Sequence, residues 1–242
     1  MTITGRLRPK LLASLLAASV LGGCERTPET REIVDPANHT AFYLWSGVVP
    51  DPAMARAKAV YLHWGELRWG DADSIVVVRR TVPEPPPDAE LWLVVRAERL
   101  DWGEAAYDTV LAAARRWDRA GQLTGIQVDF DASTPQLSDY AAFLSRFRAR
   151  LPVRWRLSAT GLMDWPANAS QADLARIAEA LDEIVVQTYR DTQTVPDYRT
   201  YLRATERLDL PFRVAIMDGA QWREPDHLRH NPDYLGTVVF LR

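Results

Sequence analysis

From Ala41 onward, short β-rich apolar runs alternate with stretches in which apolar residues recur every three or four positions. Alternation with period two marks strands and a 3.6-residue period marks helices, so their succession argues for parallel βα units. Eight strands are predicted, at residues 42–45, 60–64, 91–95, 125–130, 155–159, 184–189, 212–216 and 237–241. Between the third and sixth, three helical stripes are clear. Ala106, Val110, Ala114 and Trp117 form the first, and Leu137, Tyr140, Phe143, Leu144 and Phe147 the second. Leu174, Ile177, Ala178 and Leu181 form the third, with Ser170 placed to cap its start, and Tyr198, Tyr201, Leu202 and Thr205 predict a shorter helix before strand seven. The fold class expected is α/β, a (β/α)8 TIM-type barrel over residues 41–242, with a doubly wound open sheet as the alternative.

The first quarter departs from that regular alternation. Residues 51–59 leave room for two helical turns, and residues 70–88 hold an extended Val-rich run, Ser74 to Arg79, followed by Pro83-Glu84-Pro85-Pro86-Pro87. Prolines at that density exclude an α-helix, so the second helix is expected to be replaced by an extra strand and a polyproline-like connector. Strand eight reaches the end of the sequence, and the last helix is expected to be missing.

The N-terminal pattern is of another kind. Arg6, Arg8 and Lys10 precede an apolar run from Leu11 to Val20 that ends in Leu21-Gly22-Gly23-Cys24, the layout of a secretory signal peptide and too short for a membrane span of about 20 residues. Leu-Gly-Gly-Cys resembles the bacterial lipobox, which implies cleavage after Gly23 and acylation of Cys24, the one cysteine of the chain. Residues 1–23 are therefore read as a lipoprotein signal peptide, and residues 24–40, polar and containing Pro28 and Pro36, as a flexible tether. Glu25 stands where an aspartate would favour inner-membrane retention, so the resemblance points to a periplasm-facing lipoprotein of the outer membrane.

Composition narrows the chemistry. The chain has 242 residues, a formal net charge of -3 and dispersed basic residues, which argues against nucleic-acid binding. A lone thiol makes neither an internal disulfide nor a cysteine-rich metal site. His227 and His230, three apart in a Pro-containing loop, are a weak metal pattern without a carboxylate partner, and no metal or cofactor is expected. Neither a phosphate-binding glycine loop nor a Gly-x-Ser-x-Gly elbow occurs.

Candidate chemistry concentrates on strand four. If Ile126, Val128 and Phe130 face the helices, then Gln127, Asp129 and Asp131 point inward, with both carboxylates at the C-terminal end where barrels of this class hold their sites. Two carboxylates about 7 Å apart in a half-dry mouth separate in pKa, which is how one stays protonated as an acid. Glu66 is a second candidate acid or base. Nine tryptophans exceed what a barrel interior needs. Trp45, Trp64 and Trp165, along with Trp69, Trp102 and Trp222, fall near strand ends where they can stack on sugar rings.

Thr124-Gly125-Ile126-Gln127-Val128-Asp129-Phe130-Asp131 resembles the strand-four signature Asp-Gly-x-Asp-x-Asp-x-Glu of family 18 glycoside hydrolases, and Gln187-Thr188-Tyr189 is similar to their Met-Thr-Tyr-Asp. The resemblance implies Asp131 as proton donor, Asp129 as the carboxylate supporting the reacting centre, and Gln187 and Tyr189 as substrate-binding groups. Asp replaces the donor Glu, Thr124 and Gln127 replace the first two aspartates, and Arg190 replaces the last Asp. A closer similarity is to a bacterial family of exported barrels designated domain of unknown function 3142, through Phe42-Tyr43-Leu44-Trp45, Gly65-Glu66-Leu67 and Gly125 to Asp131. Together these imply an exported, lipid-anchored, glycosidase-like barrel acting on a glycan by carboxylate acid/base chemistry. A non-catalytic envelope lipoprotein that binds glycan or a protein partner through the same mouth is the alternative, and a purely structural lipoprotein a third reading.

Overall fold

A computed structural model describes residues 32–45, 47–70, 75–78, 84–118 and 121–242. Residues 1–31, which hold the expected signal peptide, Cys24 and the first part of the expected tether, lie outside the described residues, as do Ser74, Arg79 and Pro83 of the first quarter. Eight strands form a closed parallel barrel: β1 Ala41–Leu44, β2 Ala59–Trp69, β3 Glu90–Ala97, β4 Leu123–Asp129, β5 Arg156–Leu162, β6 Glu183–Gln187, β7 Phe212–Met217 and β8 Tyr234–Phe240. Each pairs in parallel with the next, and β8 returns to β1 through Val239 opposite Phe42 and Phe240 opposite Tyr43. Closure gives every barrel strand a neighbour on both sides, and the long end of β2 runs on beyond its pairing with β1. There the chain doubles back and Ile75–Val78 pairs antiparallel with it, Glu66 opposite Val78 and Trp69 opposite Ile75.

The period-two alternation divides the side chains between two cores. Phe42, Val60, Leu93, Ile126, Leu157 and Ile216 face outward into the layer between barrel and helices, whereas Tyr43, Tyr61, Trp92, Val94, Val185 and Val238 fill the interior. Gly125 shows how tight that interior is: a Cβ there would lie 2.1 Å from the Arg156 carbonyl oxygen and 2.9 Å from the Trp92 ring.

Helices cover the barrel where the 3.6-residue pattern predicts them. Helix α1, Glu104–Trp117, buries Ala106, Tyr107, Val110 and Ala114 and places Arg115 and Arg116 in its last turn, where cations suit the helix dipole. Helix α2, Leu137–Arg148, buries Tyr140, Phe143, Leu144 and Phe147 and follows a 3-10 turn secured by a capping box between Ser133 and Gln136. A short helix α3, Asp164–Asn168, was not signalled by the periodicity; it precedes α4, Gln171–Ala180, whose Ser170 side chain accepts from the Asp173 amide at 3.1 Å. Helix α5, Tyr198–Leu202, is one turn continued by a 3-10 turn. In the first quarter, a 3-10 turn at Pro52–Arg56 stands in for the first helix, and the described residues between β2 and β3 contain the hairpin strand and the Pro85–Pro87 segment but no helix.

Candidate functional site at the barrel mouth

The C-terminal ends of the strands surround a cavity of about 760 Å3, within the range of small-ligand pockets. Its floor is polar. Asp129, at the end of β4, is buried, and its Oδ1 accepts from the Thr160 hydroxyl of β5 at 2.9 Å. Two residues on, Asp131 rises to the rim with its side chain half exposed. Arg96, at the end of β3, binds both: Nη1 donates to Asp129 Oδ2 at 2.8 Å and Nη2 to Asp131 Oδ2 at 3.0 Å. Asp129 and Asp131 are thus brought together as the strand parity predicts, but across a shared guanidinium.

That cation decides the electrostatics. Burial pushes the Asp129 carboxyl above its ordinary value; Arg96 and the Thr160 hydroxyl pull it back, while the Asp131 charge adds to the rise. Burial also works against the Arg96 charge, yet the two carboxylates outweigh it and hold the guanidinium above its usual value. Two carboxylates around one fixed cation do not need to share a proton, because the cation supplies the charge that a proton would otherwise supply. Asp131 is thereby held in an ion pair with Arg96 rather than standing free above the cavity floor.

The walls are aromatic. Trp45 stacks on His63 with ring centroids 3.8 Å apart and touches Phe240 at 5.4 Å, and Tyr189 lies 5.7 Å from Phe240. Burial pushes the His63 ring down to about 4, so it is neutral behind Trp45 at physiological pH. Burial also raises Tyr189 well above its ordinary value, against a hydrogen bond with Gln187, so it stays a neutral phenol. Gln187, Tyr189 and Trp45 all line the cavity, as does Asp164, whose Oδ2 accepts from the Thr134 hydroxyl at 2.6 Å.

Three expected site residues are placed elsewhere. Glu66 stands beside Arg96 in the β2–β3 register but is not among the cavity's lining residues, and its Oε2 accepts from Arg68 at 2.8 Å. Trp64 follows inward-facing His63 on the strand and so points outward into the helix-facing core. Trp165 is buried on α3, donating from Nε1 to the Ala132 carbonyl at 2.8 Å and meeting Tyr140 edge-on. Trp102 and Trp222 are buried as well, and Trp69 is partly buried with Arg99 over its ring. Of the six tryptophans singled out, Trp45 alone lines the cavity. His227 and His230 each bond a backbone carbonyl, of Leu202 and Asp226 respectively, and among the described residues no group of three ligating side chains is placed to hold a metal.

Arg96 is the residue the sequence reading missed. The signal was present, since Trp92, Val94 and Arg96 follow one another at period two on the inward face of β3, and a cation in that frame needs an anionic partner inside the barrel.

Residues 94–204 match the family model of a domain of unknown function, DUF3142. That stretch runs from the inward face of β3 to α5 and contains Arg96, Asp129, Asp131 and Tyr189. No curated protein matches the chain. Among solved structures, the barrel is similar to the xylanase and alpha-amylase inhibitor protein XAIP-II from Scadoxus multiflorus, with TM-score 0.51, 12% identity, and 83% of this chain and 92% of that one covered. It is similar also to the catalytic domain of a family GH18 chitinase from the fern Peteris ryukyuensis, with TM-score 0.50, 13% identity, and 82% and 90% covered. The spore cortex-lytic enzyme SleL of Bacillus cereus aligns at TM-score 0.46 and 14% identity over 73% of this chain and 49% of its own, so this chain spans about half its length. The fold is that of GH18-like TIM barrels.

Proposed function

We propose that this chain is a Cys24-acylated lipoprotein of the cell envelope, on the outer membrane, whose GH18-like barrel binds a glycan in its mouth without cleaving it. The observation that carries this reading is the Arg96 bridge to Asp129 and Asp131. It satisfies the buried carboxylate, ties the residue in the donor position into an ion pair, and leaves a row of fixed hydrogen-bonding groups beneath the exposed face of Trp45. Such a floor suits sugar hydroxyls, which donate to carboxylates and accept from guanidinium, while the indole covers an apolar ring face. A barrel of this shape is compatible with either outcome, since its structural neighbours bear the names of an inhibitor and a chitinase.

Hydrolysis is the second reading, and the half exposure of Asp131 directly above a buried carboxylate favours it. In that case a bound sugar draws Arg96 away, a protonated Asp131 delivers its proton to the glycosidic oxygen as the bond to the leaving sugar breaks, and water then adds to the anomeric carbon and returns a proton to Asp131, with Asp129 orienting the reacting centre.

One experiment separates the two. The purified protein is mixed with peptidoglycan and exopolysaccharide fragments, and both retention and new reducing ends are measured for the native chain and for Asp131→Asn. Retention by both proteins with no reducing ends supports the binding protein. Reducing ends released by the native chain and lost in Asp131→Asn establish the hydrolase instead. Incorporation of labelled palmitate that disappears in Cys24→Ser tests the anchor.

A further inference from the structure

We infer that the cavity mouth is the side of the barrel turned toward the membrane, so that the glycan it binds is one borne by that membrane or lying against it. This rests on the Cys24 anchor proposed above and adds a direction to it.

The direction comes from where the chain joins the barrel on its way back to Cys24. Glu32–Ile33 pairs antiparallel with Gln221–Trp222, Glu32 opposite Trp222 and Ile33 opposite Gln221. That partner strand follows the C-terminal end of β7, whose last residue Met217 lines the mouth cavity. The pairing is continued by the Val34 amide donating to the Ala220 carbonyl at 2.9 Å and the Gly219 amide donating to the Val34 carbonyl at 3.0 Å. Thr194, in the segment after β6, donates its hydroxyl to the Gln221 carbonyl at 2.6 Å. Ile33 shares a surface groove with Val195, and Val195 also lines the mouth cavity. The chain is therefore fastened at the rim, between the β6 and β7 segments. From there it reaches the opposite end of the barrel, where the Thr40 carbonyl accepts from the Lys58 amide at 2.7 Å ahead of β1 and β2.

Length makes this attachment consequential. Eight residue steps separate Cys24 from Glu32, and a fully extended chain covers at most about 3.5 Å per step, so the lipid lies no farther than about 28 Å from the rim. The eight residues of β3, seven steps of about 3.3 Å, span about 23 Å along the strand from base to mouth. A tether of that reach fixed at the base would leave the mouth a full barrel height farther away. Fixed at the rim, it keeps the mouth within one tether length of the bilayer surface and confines the site to glycans found there. Headgroup-linked sugars and the membrane-proximal end of an envelope polymer meet that condition.

The test uses the full lipidated chain on vesicles whose lipids carry a headgroup quencher. Acylation consumes Cys24, the only cysteine, so an introduced thiol is the sole labelling site. One variant, Thr192→Cys, places a fluorophore on the exposed rim, and another, Asp88→Cys, places it on the exposed base just before β3. Stronger quenching of the rim label than of the base label, at the same quencher density, is the expected result. Equal quenching, or stronger quenching at the base, with the protein on the vesicles overturns the orientation and leaves the anchor standing. A native chain that floats free of the vesicles as Cys24→Ser does overturns the anchor, and the orientation with it.

Discussion

Replacing Arg96 with methionine keeps an unbranched stem of comparable length in the mouth and removes the charge that two carboxylates share. Removing one partner of a buried ion pair costs about 3 to 5 kcal/mol, because the other is left as an uncompensated charge. Two features reduce that figure here. The Arg96 side chain is 38% exposed, so water screens part of the pair, and Asp129 retains its bond from Thr160. A loss of about 2 kcal/mol at neutral pH is therefore expected. Its pH dependence has a definite sign. Asp129 already titrates above its ordinary value because burial outweighs its partners, so its ionisation costs the fold increasingly as pH rises from acid through the folded value. Without Arg96 that value moves higher still, and the variant is weakest at neutral pH and regains stability in acid, where a protonated carboxyl needs no cation. Urea unfolding at roughly pH 7 and roughly pH 4 measures the difference as a change in midpoint at constant slope. Adding Asp129→Asn to Arg96→Met is expected to recover about 1 kcal/mol at neutral pH, since the two groups are in contact and their effects do not add. A loss below about 0.5 kcal/mol, a loss equal at both pH values, or no recovery in the double variant refutes the reasoning.

Tyr43→Phe removes the 2.5 Å hydrogen bond to Gln127 Oε1 inside the barrel and is expected to lower stability by about 1 to 2 kcal/mol in the same assay, with Gln127 left short of a donor. Gly125→Ala drives a methyl into the Arg156 carbonyl and the Trp92 ring and is expected to cost about 3 kcal/mol or more, seen as lost soluble yield and a lowered unfolding midpoint. The two tryptophans should separate cleanly. Trp165→Ala is expected to cost about 3 to 5 kcal/mol of stability, whereas Trp45→Ala is expected to abolish retention on glycan fragments at a smaller cost to folding, measured by calorimetry and by unfolding.

The architecture was legible because barrel strands announce themselves twice, by β-rich composition and by regular spacing against helical stripes. Even the irregular quarter could be read, since three consecutive prolines exclude a helix whatever surrounds them. Parity along β4 gave the inward set of Gln127 and Asp129 for the same reason. The site was harder to read because nearness to a strand end says nothing about which way a side chain points. Trp45 shares the parity of inward Tyr43, while Trp64 has the opposite parity to inward His63, so the frame alone separates a cavity wall from an outer core residue. For Glu66 parity was not enough. The register shifts between His63 and Gly65, and the carboxylate beyond it turns to Arg68. Helix α3 escaped notice because five residues are too few to show a period, and Trp165 went with it.

The same spacing that makes the interior stable also makes the mouth available. Gln127 and Asp129, one step of two apart on β4, head two polar levels stacked inside the barrel. At the lower level Gln127 accepts from Tyr43 and donates to Ser158 at 2.9 Å, Ser158 reaches Glu183 at 3.4 Å, and Glu183 also accepts from Tyr61, with every member buried. Such a network costs little, because each polar atom that burial strips of water finds a protein partner, but for the same reason it has nothing left to offer a ligand. One step higher, Asp129 is just as buried, yet the guanidinium that completes it is partly in water and reaches out to a carboxylate at the rim. The upper level is thus closed beneath and open above, and this difference between two otherwise similar polar levels leaves Arg96 and Asp131 as the polar groups a ligand in the mouth could reach, with Gln127 and Glu183 holding the barrel together.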